Sequence, residues 1–368
     1  MEKPELDNLR GRIEDEIDGR GAVTFERFME RALYEPEIGY YSRAPRIGKE
    51  GDFYTGPSAH RAFGETLARV AVALKKRLGK ADIVEAGGGD GTLANDILSA
   101  LARDDPETYG GVKYTLIDIC EPEVCAARGH KNFRRVKSFD EAGRIEGMIF
   151  SNELFDAIPF HRLVFRGGKI REIMVSRGFR ETGGELSDPA LAAYFDRCGG
   201  VEKMGFAEGQ RFEVCLAAAE MMKRMAQTLK KGLILTIDYG FRTDELYSPD
   251  RKEGTFKCVS GHRISESPYE NIGEQDITAH VDFGNLEYEG EAAGLETLKY
   301  TTQGQFLVDW GIMEAVKENP EEVGAIKNLF MPGMMGDSFR ALMQVKNAPE
   351  LEEGFYPESP LKISFGVD

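Results

Sequence analysis

The chain has 368 residues, 41% of them apolar, and a net charge of −16. That length buries a substantial core and exceeds one average domain, while the acidity excludes a nucleic-acid backbone as the main partner. Five cysteines with no CxxC pair exclude a disulfide framework and a thiolate zinc cluster, so no metal is expected.

The opening stretch "MEKPELDNLRGRIEDEIDG" has neither an apolar signal core nor the acid-poor character of a transit peptide. No apolar run is long enough to span a membrane. A cytoplasmic location is expected. Helical spacing covers about 5–19 and 24–34, followed by a long loop through residue 57 rich in Gly, Pro and Tyr. Loops of that length with aromatic side chains (Tyr40, Tyr41, Phe53, Tyr54) tend to be functional. An amphipathic helix is expected at about 59–78.

"DIVEAGGGDGTLANDIL", Asp82 to Leu98, then reads as a buried strand, a glycine turn and a helix. Glycines there permit positive φ and close approach of a ligand, and the helix N-terminus offers unpaired N–H groups. Gly87 and Gly89 are followed by Thr92 where a dinucleotide fingerprint wants its third glycine, which disfavours NAD. The tighter series Gly87, Gly89, Gly91, with Glu85 upstream and Asp118 after the next strand, resembles the first motif of class I S-adenosylmethionine (SAM) methyltransferases.

Alternation continues with a strand at 112–119, a helix at 121–128, and strands near 133–137 and 147–151. "RLVFRGGKIREIMV" reads as a hairpin turning at Gly167 and Gly168. A helix near 210–230 precedes the buried strand "GLILTIDYG", and residues 241–281 look like an insertion without clear periodicity. A helix at 282–293, a strand at 295–301, helices between 303 and 330 and a last strand, "FRALMQV", suited to an antiparallel edge hairpin, complete the pattern. The fold class expected is α/β, a doubly wound and mostly parallel seven-stranded, Rossmann-like sheet with an N-terminal helical and loop cap and insertions. The division is 1–57 for the N-terminal helices and loop, 58–350 for the main domain with insertions at about 160–208 and 241–281, and 351–368 for a tail.

Ligands of open α/β sheets bind beyond the carboxyl ends of the strands. Those ends carry Glu85 with the glycine turn, Asp118, the segment "SNELFDAIP" (Ser151 to Pro159), and Asp238 with Tyr239. Asp118 suits the two hydroxyls of a ribose, or a helix N-cap. Asn152, Glu153 and Asp156 end the fourth strand, where a transferred methyl would emerge, and Phe155 could pack on adenine or on a sulfonium. Glu153 and Asp156 suit an arginine acceptor, whose guanidinium must be oriented and relieved of a proton by carboxylates. In "EQDITAHVDFGNL", an extended reading puts Asp276, Thr278, His280 and Asp282 on one face and Ile277, Ala279, Val281 and Phe283 on the other. A hydrogen-bond network is expected there, since a single histidine with two aspartates makes a poor metal site.

Together the phrases "YEPEIGYYS", "GDFYTGPSAHRAFGE", "EAGGGDGTLANDIL", "SNELFDAIPFHRL", "LTIDYG", "EGTF" and "DITAHVDF" are similar to the MidA-like family of SAM-dependent methyltransferases, over about 24–345. The resemblance implies SAM as cofactor and a protein substrate methylated on arginine, such as a respiratory complex subunit. It leaves the oligomeric state open, a homodimer included. It further implies that Gly51, Asp52, Phe53 and Thr55 fold over the SAM site, that Gly87, Gly89 and Gly91 cradle its methionine part, and that Asp118 holds its ribose. Asn152, Glu153, Phe155 and Asp156 would line the transfer site. The chain departs from the family at Ser58, Gly88, Asp90 and in "DICEPEV". Those departures keep a second reading in play, a weakly catalytic or non-catalytic SAM-binding assembly factor that docks a partner.

Overall fold

The structure, a computed structural model, describes residues 3–43, 60–122, 124–261, 263–265, 267–357, 359 and 361. In chain order α1 (Lys3–Arg20), β1 (Ala22–Thr24) and α2 (Phe25–Tyr34) come first. Thr24 caps α2 by accepting from the amide of Arg27 at 3.0 Å. Helix α3 (Ala62–Leu78) ends on Gly79 at φ 75°, a left-handed position that glycine takes without a Cβ clash. It leads to β2 (Asp82–Ala86), α4 (Thr92–Asp104), β3 (Tyr114–Ile117), β4 (Phe133–Val136) and β5 (Ile145–Asn152).

An antiparallel unit follows, β6 (His161–Arg166), β7 (Lys169–Ser176), β8 (Arg180–Gly184) and β9 (Arg211–Val214). The chain returns through α5 (Ala217–Thr228) to the long β10 (Leu229–Phe241). Beyond it lie β11 (Lys257–Ser260), β12 (Arg263–Ser265), β13 (Asp276–Thr278), β14 (Val281–Asp282), α6 (Phe283–Ala292), β15 (Glu296–Thr302) and β16 (Phe339–Lys346).

The central sheet has the order β15-β16-β10-β5-β2-β3-β4, with β14 added in parallel at the end of β10. Strands β10, β5, β2, β3 and β4 pair in parallel. Strands β15 and β16 pair antiparallel at the edge of this sheet, as the sequence pattern suggests, with β15 outermost and β16 running antiparallel to β10 as well. Every residue of β2 and β3 is buried, as expected for strands covered by helices on both faces. The two faces carry separate cores. One is built around α3, α4 and the helices Gln303–Asp309 and Val323–Phe330, the other around α5 and α6.

A second, antiparallel sheet has the order β1-β7-β6-β9, with β8 also on β7. The hairpin turns at Gly167 and Gly168 as the sequence suggests, with Arg166 facing Lys169. The N-terminal strand β1 completes this sheet on β7.

Two expected helices are corrected. Residues 211–214 form β9 on β6, and the helix begins only at Ala217. The alternation in "RFEV" buries Phe212 and Val214 in an aromatic core with Phe195 and Phe206, which outweighs helical propensity. Among the described residues of the stretch expected to be helical at 121–128, the only helical turn is a short 3-10 one, Ala126–Gly129, and the amide of Ala126 is spent on the carbonyl of Asp90.

Candidate active site

The order of the strands reverses between β2 and β5, which makes the crevice beyond their carboxyl ends the expected ligand site. Register aligns those ends, since Ala86 faces Ile117 on one side and Ser151 on the other, and Thr236 faces Ser151. The glycine turn, Asp118, Asn152 and Asp238 therefore emerge together.

Gly87, Gly89 and Gly91 have φ of 75°, 52° and 79°, conformations that suit glycine. Asp118 closes the turn. Its Oδ2 accepts from the amide of Gly89 and its Oδ1 from the amide of Cys120, both at 2.8 Å. Arg135 of β4 donates to the carbonyl of Gly89 at 2.7 Å and also to the carbonyl of Cys120, and its guanidinium stands 3.7 Å from Asp118. Burial pushes the Asp118 carboxyl upward, while the two amides and Arg135 pull it back. Asp90 accepts from the amide of Thr92 at 2.9 Å and so serves the start of α4.

The departure at residue 88 has a packing reason. A Cβ on Gly88 would lie 2.6 Å from Leu116 and 2.7 Å from the carboxyl carbon of Glu85. Glu85 is buried beneath the turn and accepts from the hydroxyl of Tyr114 at 2.8 Å. Burial raises its pKa to about 8, so the carboxyl is protonated near neutrality.

The opposite wall follows β5. Glu153 has φ 51°, unusual for a side chain with a Cβ, and its amide donates to the carbonyl of Ile237 at 3.0 Å. Its carboxylate accepts from Asn152 Nδ2 at 3.0 Å, while Asn152 Oδ1 is buried with no partner. Asp238 Oδ2 accepts from the amides of Leu154 and Phe155 at 3.1 and 2.9 Å, pinning this segment to the end of β10. Phe155 is buried in the core with Ile149, Ile158 and Met222. Burial raises both Asp156 and Asp238, and Asp156 is raised further by the carboxylates of Asp238, Glu153 and Asp276. Asp156 retains the proton of the pair, since the backbone amides favour ionisation of Asp238.

Sequence reasoning missed the part played by the N-terminal tyrosines. Tyr34 donates to the carbonyl of Ala157 at 2.9 Å, and Tyr41 donates to the carboxylate of Asp276 at 2.9 Å. Their rings stack with centroids 5.5 Å apart. The aromatic content of the loop was the available signal for Tyr41, whereas Tyr34 ends α2 and gives none. Arg135 was also missed, and a basic residue in a short exposed-looking strand gives none. Gly51, Asp52, Phe53 and Thr55, expected to cover the cofactor, lie outside the described residues.

The proposed polar stripe divides among three environments. Asp276 meets Tyr41, Asp282 caps α6 by accepting from the amide of Asn285 at 3.1 Å, and His280 falls between β13 and β14. Among the described residues no group of three or more His, Cys, Asp or Glu side chains could hold a metal.

These features fit a SAM-type ligand. The left-handed glycine turn lies at the carboxyl end of β2, before the first turn of α4. Each Asp118 oxygen keeps a further lone pair for a hydroxyl, and Asn152 Oδ1 is an unfilled acceptor on the facing wall. Residues 64–301 match the sequence model of the family described as "Putative S-adenosyl-L-methionine-dependent methyltransferase". The chain belongs to this family. This SAM-dependent methyltransferase is 24% identical to the mitochondrial protein arginine methyltransferase NDUFAF7 homolog of Drosophila melanogaster, over 91% of this chain and 84% of that protein. It is 26% identical to human NDUFAF7, a mitochondrial protein arginine methyltransferase, over 80% and 71% of the two chains. A methyl-transferase-like protein of Burkholderia thailandensis, crystallised with S-adenosylhomocysteine, superposes with a TM-score of 0.84 at 28% identity, covering 95% of this methyltransferase and 96% of that chain.

Proposed function

We propose that this methyltransferase acts on an arginine side chain of a protein acceptor. The observation that carries the reading is the set of carboxylates around Asp156, an acid whose strongest neighbours are Asp238, Glu153 and Asp276. Acids crowded this closely, three of them buried and Glu153 half-buried, gain from a cation that lets more of them ionise, and a guanidinium offers a planar fork of N–H donors matched to carboxylates. The names of the Drosophila and human relatives support the same acceptor.

Bound SAM supplies a methyl group on a positively charged sulfur. The glycine turn and Asp118 would hold it, and the chain's remaining task is alignment, because in-line displacement depends mostly on geometry. Glu153 and Asp156 orient the guanidinium, and Asp156 takes the proton that the acceptor nitrogen loses. Asn152 fixes Glu153 through its amide. A guanidinium beside Asp156 favours the ionised carboxylate, so the proton that Asp156 holds at rest leaves to solvent as the acceptor binds, and the carboxylate is then free to act as base.

The Drosophila and human relatives are named mitochondrial. Among the described residues no helix is long and apolar enough to cross a membrane.

The test uses SAM with a tritiated methyl group and lysate proteins as acceptors. Label is expected on a protein band and on dimethylarginine or monomethylarginine after hydrolysis, and Asp156→Ala is expected to abolish it while SAM still binds. Label on another amino acid would overturn the arginine reading. SAM binding with no protein labelled would favour a docking role instead.

A further inference from the structure

A cavity of about 30 Å³ lies against Asp156, lined also by Phe155, Glu213, Cys215, Tyr247 and His280. One water needs about 10–15 Å³ of such space and two or more polar partners. Three of the lining side chains carry a buried polar atom with no protein partner, namely Asp156 Oδ1, Glu213 Oε1 and His280 Nδ1. Buried polar groups are otherwise satisfied by protein or by ordered water.

Glu213 and His280 are already joined. Thr255 donates through Oγ1 to Glu213 Oε2 at 3.1 Å and through its amide at 2.8 Å, and the same Oγ1 accepts from the amide of His280 at 3.0 Å. Gly254, at φ 77°, makes room for this carboxylate, since a Cβ there would lie 2.2 Å from Glu213 Oε1. The amide of Ala279 donates to the carbonyl of Asp156 at 3.0 Å, tying the His280 segment to the transfer site. Burial, with Lys257, Arg251 and Arg340 nearby, lowers the imidazole pKa to about 4. It is therefore neutral, with one nitrogen to donate and one to accept.

We propose that this cavity holds ordered water, oriented by His280, that passes a proton between Asp156 and Glu213, so that Glu213 and His280 are positioning residues for the acid at the transfer site. Its chemical purpose rests on the arginine reading above. The acceptor nitrogen bonds the methyl carbon, the carbon–sulfur bond breaks with its electron pair remaining on sulfur, and the nitrogen's proton passes to the Asp156 carboxylate. Cavity water then carries that proton to the Glu213 carboxylate, with the neutral imidazole orienting the water. Nothing is oxidised or reduced.

Two measurements test the relay without an acceptor, so their outcome is independent of the arginine reading. A wild-type crystal structure at a resolution that shows solvent is expected to hold water within hydrogen-bond distance of Asp156 Oδ1, linked directly or through a second water to Glu213 Oε1 or His280 Nδ1. A dry cavity overturns the proposal. In infrared spectra, the carbonyl stretch of protonated Asp156, identified by its loss in Asp156→Asn, is expected to shift in both Glu213→Gln and His280→Gln. A band unmoved in both folded variants also overturns it, and if either variant fails to fold the wild-type crystal decides.

Discussion

Asp118, at the end of β3, holds the amide of Gly89 at 2.8 Å, so the acid proposed to hold the ribose also shapes the glycine turn proposed to receive the rest of the ligand. Its second oxygen is occupied by the amide of Cys120 at the same distance. Only a carboxylate accepts at both oxygens. Asp118→Asn puts an N–H group against one of these amides, and the expected cost of about 1.5–3 kcal/mol for a charge-assisted bond appears as roughly 10- to 100-fold weaker SAM binding. Titration calorimetry with SAM checks this, and an unchanged affinity would separate Asp118 from the ligand site.

Gly88 shows that the altered glycine turn is matched to its surroundings. With Leu116 and Glu85 at 2.6 and 2.7 Å from the position of an added Cβ, Gly88→Ala is expected to destabilise the fold by about 1–3 kcal/mol. Leu116→Ala costs stability alone but should recover part of the loss when combined with Gly88→Ala. A double-mutant cycle by urea denaturation measures the coupling, and strict additivity would contradict the packing argument.

The buried carboxyl of Glu85 makes stability depend on pH. Its folded pKa of about 8 lies above the ordinary 4.5, so the folded state binds the proton more tightly. The stabilisation is complete below about 4.5 and is lost as pH rises through about 8. Glu85→Gln keeps an acceptor for Tyr114 and carries no titrating proton. The difference in melting temperature between wild type and Glu85→Gln should therefore change across that window, with the wild type losing ground as pH rises.

Glu153 occupies a backbone conformation in which a Cβ is unfavourable, at φ 51°. Glycine relieves that strain at a comparable entropic cost, so Glu153→Gly should stay within about 1 kcal/mol of wild type in chemical denaturation. A β-branched residue cannot settle there, and Glu153→Val should cost more than about 1 kcal/mol. Both should lower methyl transfer, because both remove the carboxylate. Full activity in Glu153→Gly would remove Glu153 from the reaction.

The features legible in the sequence are those with short-range causes. Strand β2, the glycine turn and α4 follow from an apolar run, four glycines and helical spacing within 17 residues, and the β6–β7 hairpin follows from Gly167 and Gly168. Strand β9 was misread because its partner β6 lies about 50 residues earlier, and only that pairing makes "RFEV" extended. The antiparallel edge pair of β15 and β16 follows from two strand-like runs near the end of the chain. At the site, the strand-end acids Asp118, Glu153, Asp156 and Asp238 could be read from where strands stop. Arg135 and Tyr34 could not, since their targets, the carbonyls of Gly89 and Ala157, are backbone atoms brought near by the fold. The stripe from Asp276 to Asp282 assumed one continuous strand, and the break before β14 divides it.

The central claim is that the bend between β2 and α4 receives the sulfonium nucleoside. A co-crystal of the full chain with S-adenosylhomocysteine tests it most directly. The ligand's ribose hydroxyls are expected on Asp118 and its amino-acid end against Gly87, Gly89 and Gly91. A ligand bound elsewhere, with this bend closed by the chain's own side chains, would contradict it.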